Sequence, residues 1–358
     1  MEILLIVLVF LGLAFLQAFL VQHFGLRGFS YRRGFSRLTA GAGDTVDYVE
    51  VIRNRGPLFL PWVRLETRVP PSFEFRTREE IDIRGNNYHQ SVFSLTPFSQ
   101  VTRRHQVLLR QRGHFCLERA SLTAGDLLGW RLITRDMETK AEIYVFPRLL
   151  NRDAGLLPSQ RAMGEVAVRR WIQPDPIWVN GIRPYRDGDP ERDIHWAATA
   201  RMNAMQVKTH DYTADPRLMV LINVQKKEEQ WGDLMDYEQE RIEYAISLAA
   251  TMCLDALEKG IEAGFAANMP LDEDTRCACL PPARGAGWDQ ELLRAMACLR
   301  LKWLLSFPTF LEQLPVLSGT DLVTLSCYDS EAIRVQARRL EALGNSVTLR
   351  LLPEVDHA

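Results

Sequence analysis

The pattern of apolar and polar positions changes character twice along the chain. Ile3 to Val21 is a nineteen-residue apolar run interrupted only by Gln17, long enough to cross a bilayer as a helix. From 40 to 150, short runs of Val, Ile, Leu, Phe and Trp alternate with turn signals at 42–44, Asn54-Arg55-Gly56-Pro57, Pro70-Pro71 and Arg84-Gly85-Asn86-Asn87. The spacing predicts strands over Asp47–Arg53, Trp62–Arg68, His89–Leu95, Val101–Leu109, His114–Leu117 and Glu142–Phe146, and hence an antiparallel, immunoglobulin-like β-sandwich. From Arg217 the period alternates between strand and helix. Leu218–Ile222 is continuously apolar, as for a strand buried on both faces. Tyr237–Lys259 has a helical period and stops at Gly260, and Ile261–Ala267 reads as a strand. Asp289–Leu305 follows as a helix, then strand Leu322–Leu325, helix Ser330–Leu343 and strand Val347–Leu352. That order implies a mostly parallel sheet with helices on both faces, where sites open beyond the strand C-termini.

These changes divide the chain into an anchor at 1–24, a basic juxtamembrane segment at 25–39, a β-sandwich at 40–150, a connector at 151–180, a motif segment at 181–214 and an α/β domain at 215–358. The anchor is distinguished from a cleaved signal peptide by its N-terminus. Met1-Glu2 carries no positive side chain and no small-x-small cleavage site follows. Arg27, Arg32, Arg33 and Arg37 follow with no acid among them. The positive-inside rule then places the body in the cytoplasm and the short N-terminus outside.

The densest chemistry lies in Gly181–Arg201, which holds Arg183, Arg186, Arg192 and Arg201 against Asp187, Asp189, Glu191 and Asp193. Asp187-Gly188 is a turn signal. Asp189-Pro190 reads as N-cap and first position of a helix running to about Met202. On that helix Glu191 and His195, and likewise Arg192 and Trp196, would share a face. The residues Arg183-Pro184-Tyr185-Arg186, Gly188-Asp189, Arg192, Ile194-His195-Trp196 and Ala200-Arg201 resemble the signature of the "domain of unknown function 58" family of bacterial membrane proteins. Arg112-Gly113-His114-Phe115 followed by Asp126-Leu127-Leu128-Gly129 is similar to the family too, though without the Pro-Phe pair that usually follows the Asp. The resemblance implies a von Willebrand factor A-like (Rossmann-like) α/β domain and a MoxR-type AAA ATPase as partner. Such domains usually hold Mg²⁺ with an Asp-x-Ser-x-Ser loop, because hard oxygen ligands at that spacing converge on a hard cation. The matching positions here are Asn223, Gln225 and Lys227, so the resemblance implies a degenerate metal site.

Composition narrows the remaining options. A net charge of −2 leaves no basic footprint for nucleic acid. The six cysteines are scattered, several within apolar runs, and read as reduced thiols rather than a disulfide framework. Cys277-Ala-Cys279 lacks the second pair or histidines that a zinc site needs. The phosphate loop GxxxxGK[ST], the GxSxG elbow, HExxH and GxGxxG motifs are missing. His195 with Asp193 and Glu191 could form an acid–base cluster, but the favoured reading is a helix-surface histidine oriented by carboxylates. His210-Asp211 reads as a strand end or a domain contact, and Ser326-Cys327-Tyr328-Asp329 lies where a site would open, with Asp329 or Ser330 equally suited to cap a helix.

The expectation is a membrane-anchored, non-enzymatic adaptor without cofactor, whose motif is a docking face, a structural clasp or both. A hydrolase built on His195 and a metal-dependent ligand-binding A domain are the alternatives.

Overall fold

The apolar N-terminal run folds as helix α1 (Glu2–Phe24). Its stretch Ile3–Phe24 is long and apolar enough to cross a membrane. Except for Ala14, Ala18 and Val21, the helix buries little of its apolar surface, as a helix that meets lipid would. The computed structural model describes residues 2–24, 26–76, 88–126, 129, 131–150, 179–186, 191, 194–210, 217–230, 232, 234–272 and 274–353. They fall into two compact units, Met1–Arg148 with Leu293–Leu299 and Leu149–Leu292 with Arg300–Ala358.

The first unit contains β1 (Phe29–Phe35), β2 (Thr39–Gly41), β3 (Thr45–Asn54), β4 (Leu60–Arg68), β5 (Phe73–Phe75), β6 (Tyr88–Leu95), β7 (Gln100–Leu109), β8 (Gly113–Gly125) and β9 (Leu132–Phe146). One sheet has the order β1-β3-β7-β5 and the other β2-β9-β8-β4-β6. Pairing is antiparallel apart from the short parallel contact of β2 with β9. The expected strands are present. Three findings differ from the sequence reading: β8 and β9 are much longer, the short β2 and β5 were not expected, and β1 lies inside the segment read as basic and juxtamembrane. Arg32 and Arg33 alternate across β1, so Arg33 points inward and is buried.

Alternation along β3 turns Val46, Tyr48, Glu50, Ile52 and Asn54 inward. The interior holds two apolar clusters, one around Ile52, Leu65, Phe93 and Leu122, the other around Val46, Val107, Leu117 and Ile143. Both draw on both sheets, and each such buried side chain contributes about 1.5–3 kcal/mol. Tyr31 belongs to the first cluster and Tyr48 to the second, with the buried Glu50 beside them.

The second unit contains β10 (Val179–Pro184), α2 (Trp196–Met202), β11 (Gln206–His210), β12 (Arg217–Ile222), α3 (Asp236–Glu258), β13 (Glu262–Pro270), β14 (Cys277–Ala283), α4 (Trp288–Cys298, which runs across the division between the units), α5 (Phe307–Glu312), β15 (Asp321–Ser326), α6 (Glu331–Ala342) and β16 (Ser346–Leu351). Strands β13, β12, β15 and β16 run parallel, and β14 adds an antiparallel edge beyond β13. Leu218–Ile222 is buried throughout. Helix α3 packs on β12 and β13, while Met219 and Leu221 share a cluster with Phe307, Phe310, Ile333 and Leu340 of α5 and α6. The helix expected over 289–305 ends at Cys298. Its continuation is drawn away because Arg300 N and Leu304 N bond the carbonyls of Pro270 and Asn268.

Gly264 fixes the approach of β14 to β13, since a Cβ there would run into the Leu280 carbonyl and Pro281. Gly264→Ala is expected to cost about 1–3 kcal/mol, read as a lowered urea midpoint, because backbone rather than a flexible side chain would have to yield.

Candidate functional site

Three neighbouring strands of the second unit end at polar residues in register. Strand β12 pairs with β13 up to Ile222↔Ala267 and with β15 up to Ile222↔Leu325, which brings Asn223, Asn268 and Ser326 together at the C-terminal ends. All three are fully buried, and Gln225 nearly so. Asn223 Nδ2 donates to Ser326 Oγ at 3.0 Å, and Asn223 Oδ1 accepts from Gln225 N at 3.0 Å and Asn268 Nδ2 at 3.4 Å. Asn268 Oδ1 accepts from Val224 N at 2.8 Å, and its amide also donates to Leu305 O at 3.2 Å. Gln225 Oε1 receives Phe307 N, at the start of α5, at 2.7 Å. Ser326 Oγ donates to Tyr328 O at 2.6 Å and accepts from Tyr328 N at 3.2 Å.

A hard divalent cation needs anionic or uncommitted oxygens converging on it. None of these four side chains is charged, and each of their oxygens already accepts an N–H. The donor set does not fit Mg²⁺; it fits an amide lock that holds loop 223–225 and the α5 N-terminus against the strand ends. Lys227 is exposed in the following bend and takes no part, while Lys226 pairs with Glu238 at 2.7 Å. The sequence pointed to Asn223 and Gln225 but missed Asn268, and grouped Ser326 with a different tetrapeptide. The available signal was positional: each directly follows apolar residues of its strand, Ala266-Ala267 before Asn268 and Leu325 before Ser326.

In the motif segment, β10 and β11 form an antiparallel pair, Arg183 opposite Val207 and Pro184 opposite Gln206. The expected helix from Pro190 is corrected: α2 begins at Trp196. The backbone ahead of it is taken up by β11, since Ile194 bridges Val207 and His195 N donates to Gln206 O at 2.8 Å. His195, not Asp189, is the N-cap, its Nδ1 accepting Ala198 N at 3.1 Å. Glu191 therefore precedes the helix and does not share a helical face with His195. Thr199 Oγ1 ties the helix back, donating to His195 O and accepting Gln206 N. Tyr185 N bonds Met205 O, and the Arg183 guanidinium donates to Pro184 O at 3.1 Å. Arg186 and Arg201 are exposed, and Arg201 sits in the last turn of α2, where a cation complements the helix dipole. Asp187, Gly188, Asp189, Pro190, Arg192, Asp193 and Asp211 lie outside the described residues, as does the connector from 151 to 178. Four large apolar side chains of the segment face solvent: Ile182, Trp196, Met202 and Met205, with Trp196 69% exposed.

The other candidates have structural duties. His210 ends β11 opposite Val179. Asp329 holds Arg334 at 2.6 Å, and Ser330 Oγ caps α6 by accepting Ile333 N. The six thiols are free. Burial pushes Cys253 up to about 12 and raises Cys277, Cys279 and Cys327 above the ordinary thiol value, the reverse of what a reactive thiolate needs.

An α/β unit with polar, self-satisfied strand ends and a solvent-facing motif hairpin is thus the setting of the site. Residues 181–339 match the model of the family described as "Protein of unknown function DUF58". No curated protein matches the chain. Among solved structures, a non-cellulosomal cohesin from Archaeoglobus fulgidus overlays 35% of this chain and 94% of its own, with 9% identity and a TM-score of 0.23. A CARDB domain from Pyrococcus furiosus overlays 31% and 88%, with 14% identity and a TM-score of 0.19. A type I cohesin–dockerin complex from Clostridium thermocellum overlays 32% and 94%, with 13% identity and a TM-score of 0.22. Overlays this weak bear on neither fold nor function.

Proposed function

We propose that the chain is a membrane-anchored, non-enzymatic adaptor whose α/β unit, of the von Willebrand A type, binds a protein partner through the motif hairpin. The observation that carries this reading is the contrast within the second unit. The strand ends, where this architecture opens its sites, are closed by the amide lock, whereas the motif turns Trp196, Ile182, Met202, Met205 and Arg186 to solvent. Exposed Trp and Arg beside apolar neighbours are the side chains that anchor protein interfaces. The partner is a AAA ATPase of the MoxR type, on the strength of the motif's resemblance, and the client is a component of the cell envelope. Helix α1 supplies a single-pass anchor in the cytoplasmic membrane, with Arg27, Arg32 and Arg37 holding the body on the cytoplasmic side. The immunoglobulin-like β-unit acts as the spacer.

The test is co-purification from detergent-solubilised native membranes. Wild type is expected to bring down a AAA ATPase, and Arg186→Ala/Trp196→Ala is expected to lose at least about tenfold of it, or ~1.4 kcal/mol, with an unchanged melting temperature. Retention of the ATPase by the folded variant would show that the hairpin is not the docking face.

A further inference from the structure

The first unit carries a polar cluster that the adaptor reading does not use. Glu50 on β3 and His105 on β7 belong to one sheet, His89 and Ser91 on β6 to the other, and all four point into the space between the sheets. Glu50, His89 and His105 are 0%, 1% and 5% exposed. Tyr31 Oη donates to Glu50 Oε1 at 2.7 Å. Around Glu50 Oε2 lie Ser91 Oγ at 3.3 Å, His105 Nε2 at 3.3 Å and His89 Nε2 at 3.7 Å, with Ser91 Oγ and His89 Nε2 3.1 Å apart. Phe75 stacks on His89 at 4.6 Å, and the His89 and His105 rings meet edge to face at 4.9 Å.

Three ring nitrogens in this interior, His89 Nδ1 and both nitrogens of His105, have no hydrogen-bond partner among the described residues. An unsatisfied buried polar atom costs about 1–3 kcal/mol; of these three, His105 Nε2 is the one that faces Glu50 Oε2, at 3.3 Å. The Glu50 carboxylate thus lies between two imidazoles in the interior.

We propose that Glu50, His89 and His105 form a structural binding site for a zinc-class divalent transition ion that ties the two sheets together. One candidate ligand atom from each of the three residues lies within 4.8 Å of the others. Tetrahedral zinc with bonds of about 2.0–2.1 Å spaces its donors roughly 3.3–3.4 Å apart. Four of the six donor–donor spacings lie near that edge: Ser91–His89 at 3.1 Å, Ser91–Glu50 and His105–Glu50 at 3.3 Å, and His89–Glu50 at 3.7 Å. Two imidazoles and a carboxylate form a ligand set suited to zinc rather than to Mg²⁺ or Ca²⁺, and the Ser91 hydroxyl stands where a fourth donor belongs. Arg33, a buried cation on β1, has its own partners: its guanidinium bonds Thr67 Oγ1 at 3.0 Å and the carbonyls of Arg119 and Thr139 at 3.0 and 2.9 Å.

The experiment uses the untagged full-length chain in detergent, stripped with a chelator and titrated with Co²⁺, then with Zn²⁺ in competition. Wild type is expected to take up one equivalent of Co²⁺ with the visible d–d bands of a tetrahedral nitrogen–oxygen site, to melt higher with metal, and to surrender Co²⁺ to Zn²⁺. His105→Gln and His89→Gln, each near in volume to the residue replaced, are expected to weaken Co²⁺ binding more than about 100-fold. A wild type that shows neither the bands nor a thermal shift overturns the proposal without reference to any variant. Bands that persist undiminished in either variant also overturn it, by placing the ion elsewhere.

Discussion

Glu50→Ala is expected to destabilise the β-unit by about 3–5 kcal/mol, measured by denaturant unfolding of the metal-free protein. The alanine removes the acceptor on which Tyr31, Ser91 and the two histidines converge. It leaves two hydroxyls and two imidazoles in an interior that water does not reach, so the cost is mainly desolvation without return rather than the loss of one contact. Tyr31→Phe provides the internal scale. It deletes one donor to Glu50 Oε1 while preserving the ring in its apolar cluster, and should cost only about 1–2 kcal/mol. Equal effects from the two variants would mean that the carboxylate is not the hub of the cluster.

The second large effect is expected at the strand ends of the α/β unit. Asn223→Asp keeps the shape but turns the Nδ2 donor into an acceptor facing Ser326 Oγ, whose proton already serves Tyr328 O. A buried carboxylate then has the neutral donors Gln225 N and Asn268 Nδ2 around it. A loss of about 2–4 kcal/mol follows from the uncompensated charge. Millimolar Mg²⁺ should not restore the melting temperature, because Gln225 Oε1 is held by Phe307 N and Lys227 lies outside the lock. Recovery with Mg²⁺ would show that a single carboxylate is enough to reopen a metal site.

What could be read from the sequence follows from how local each signal was. Strand β12, helix α3 and the strands around Trp62–Arg68 and Val101–Leu109 carry their period within their own residues, and they lie where the pattern put them. Strand β1 did not show because Arg32 and Arg33 look alike in a charge count. Only the opposite sheet, with the carbonyls of Arg119 and Thr139, makes an interior place for one of them. The end of α4 was hidden for the same kind of reason, since Leu299–Leu305 is apolar enough for a helix but bonds back to the end of β13. His195 reads as a helix-face residue until β11 claims the backbone on either side of it. The Glu50 cluster was legible in part. A glutamate in phase with Val46, Tyr48 and Ile52 on one strand, and histidines in phase with Val107 and Phe93 on two others, mark inward positions. That the three inward residues meet is a matter of sheet stacking, which no single strand encodes.

The position of β1 has a mechanical consequence. Its first residue, Phe29, follows the end of α1 at Phe24 after four intervening residues, and β1 is an edge strand paired only with β3 in its sheet. Were α1 held in a bilayer, as proposed, a pull on it would enter the fold through this strand. The seven-residue ladder to β3 is then loaded in shear, and Arg33 rivets the same strand to Thr67, Arg119 and Thr139 of the facing sheet. Such a pull would be shared by both sheets at once, which would make β1 the strand that resists it first.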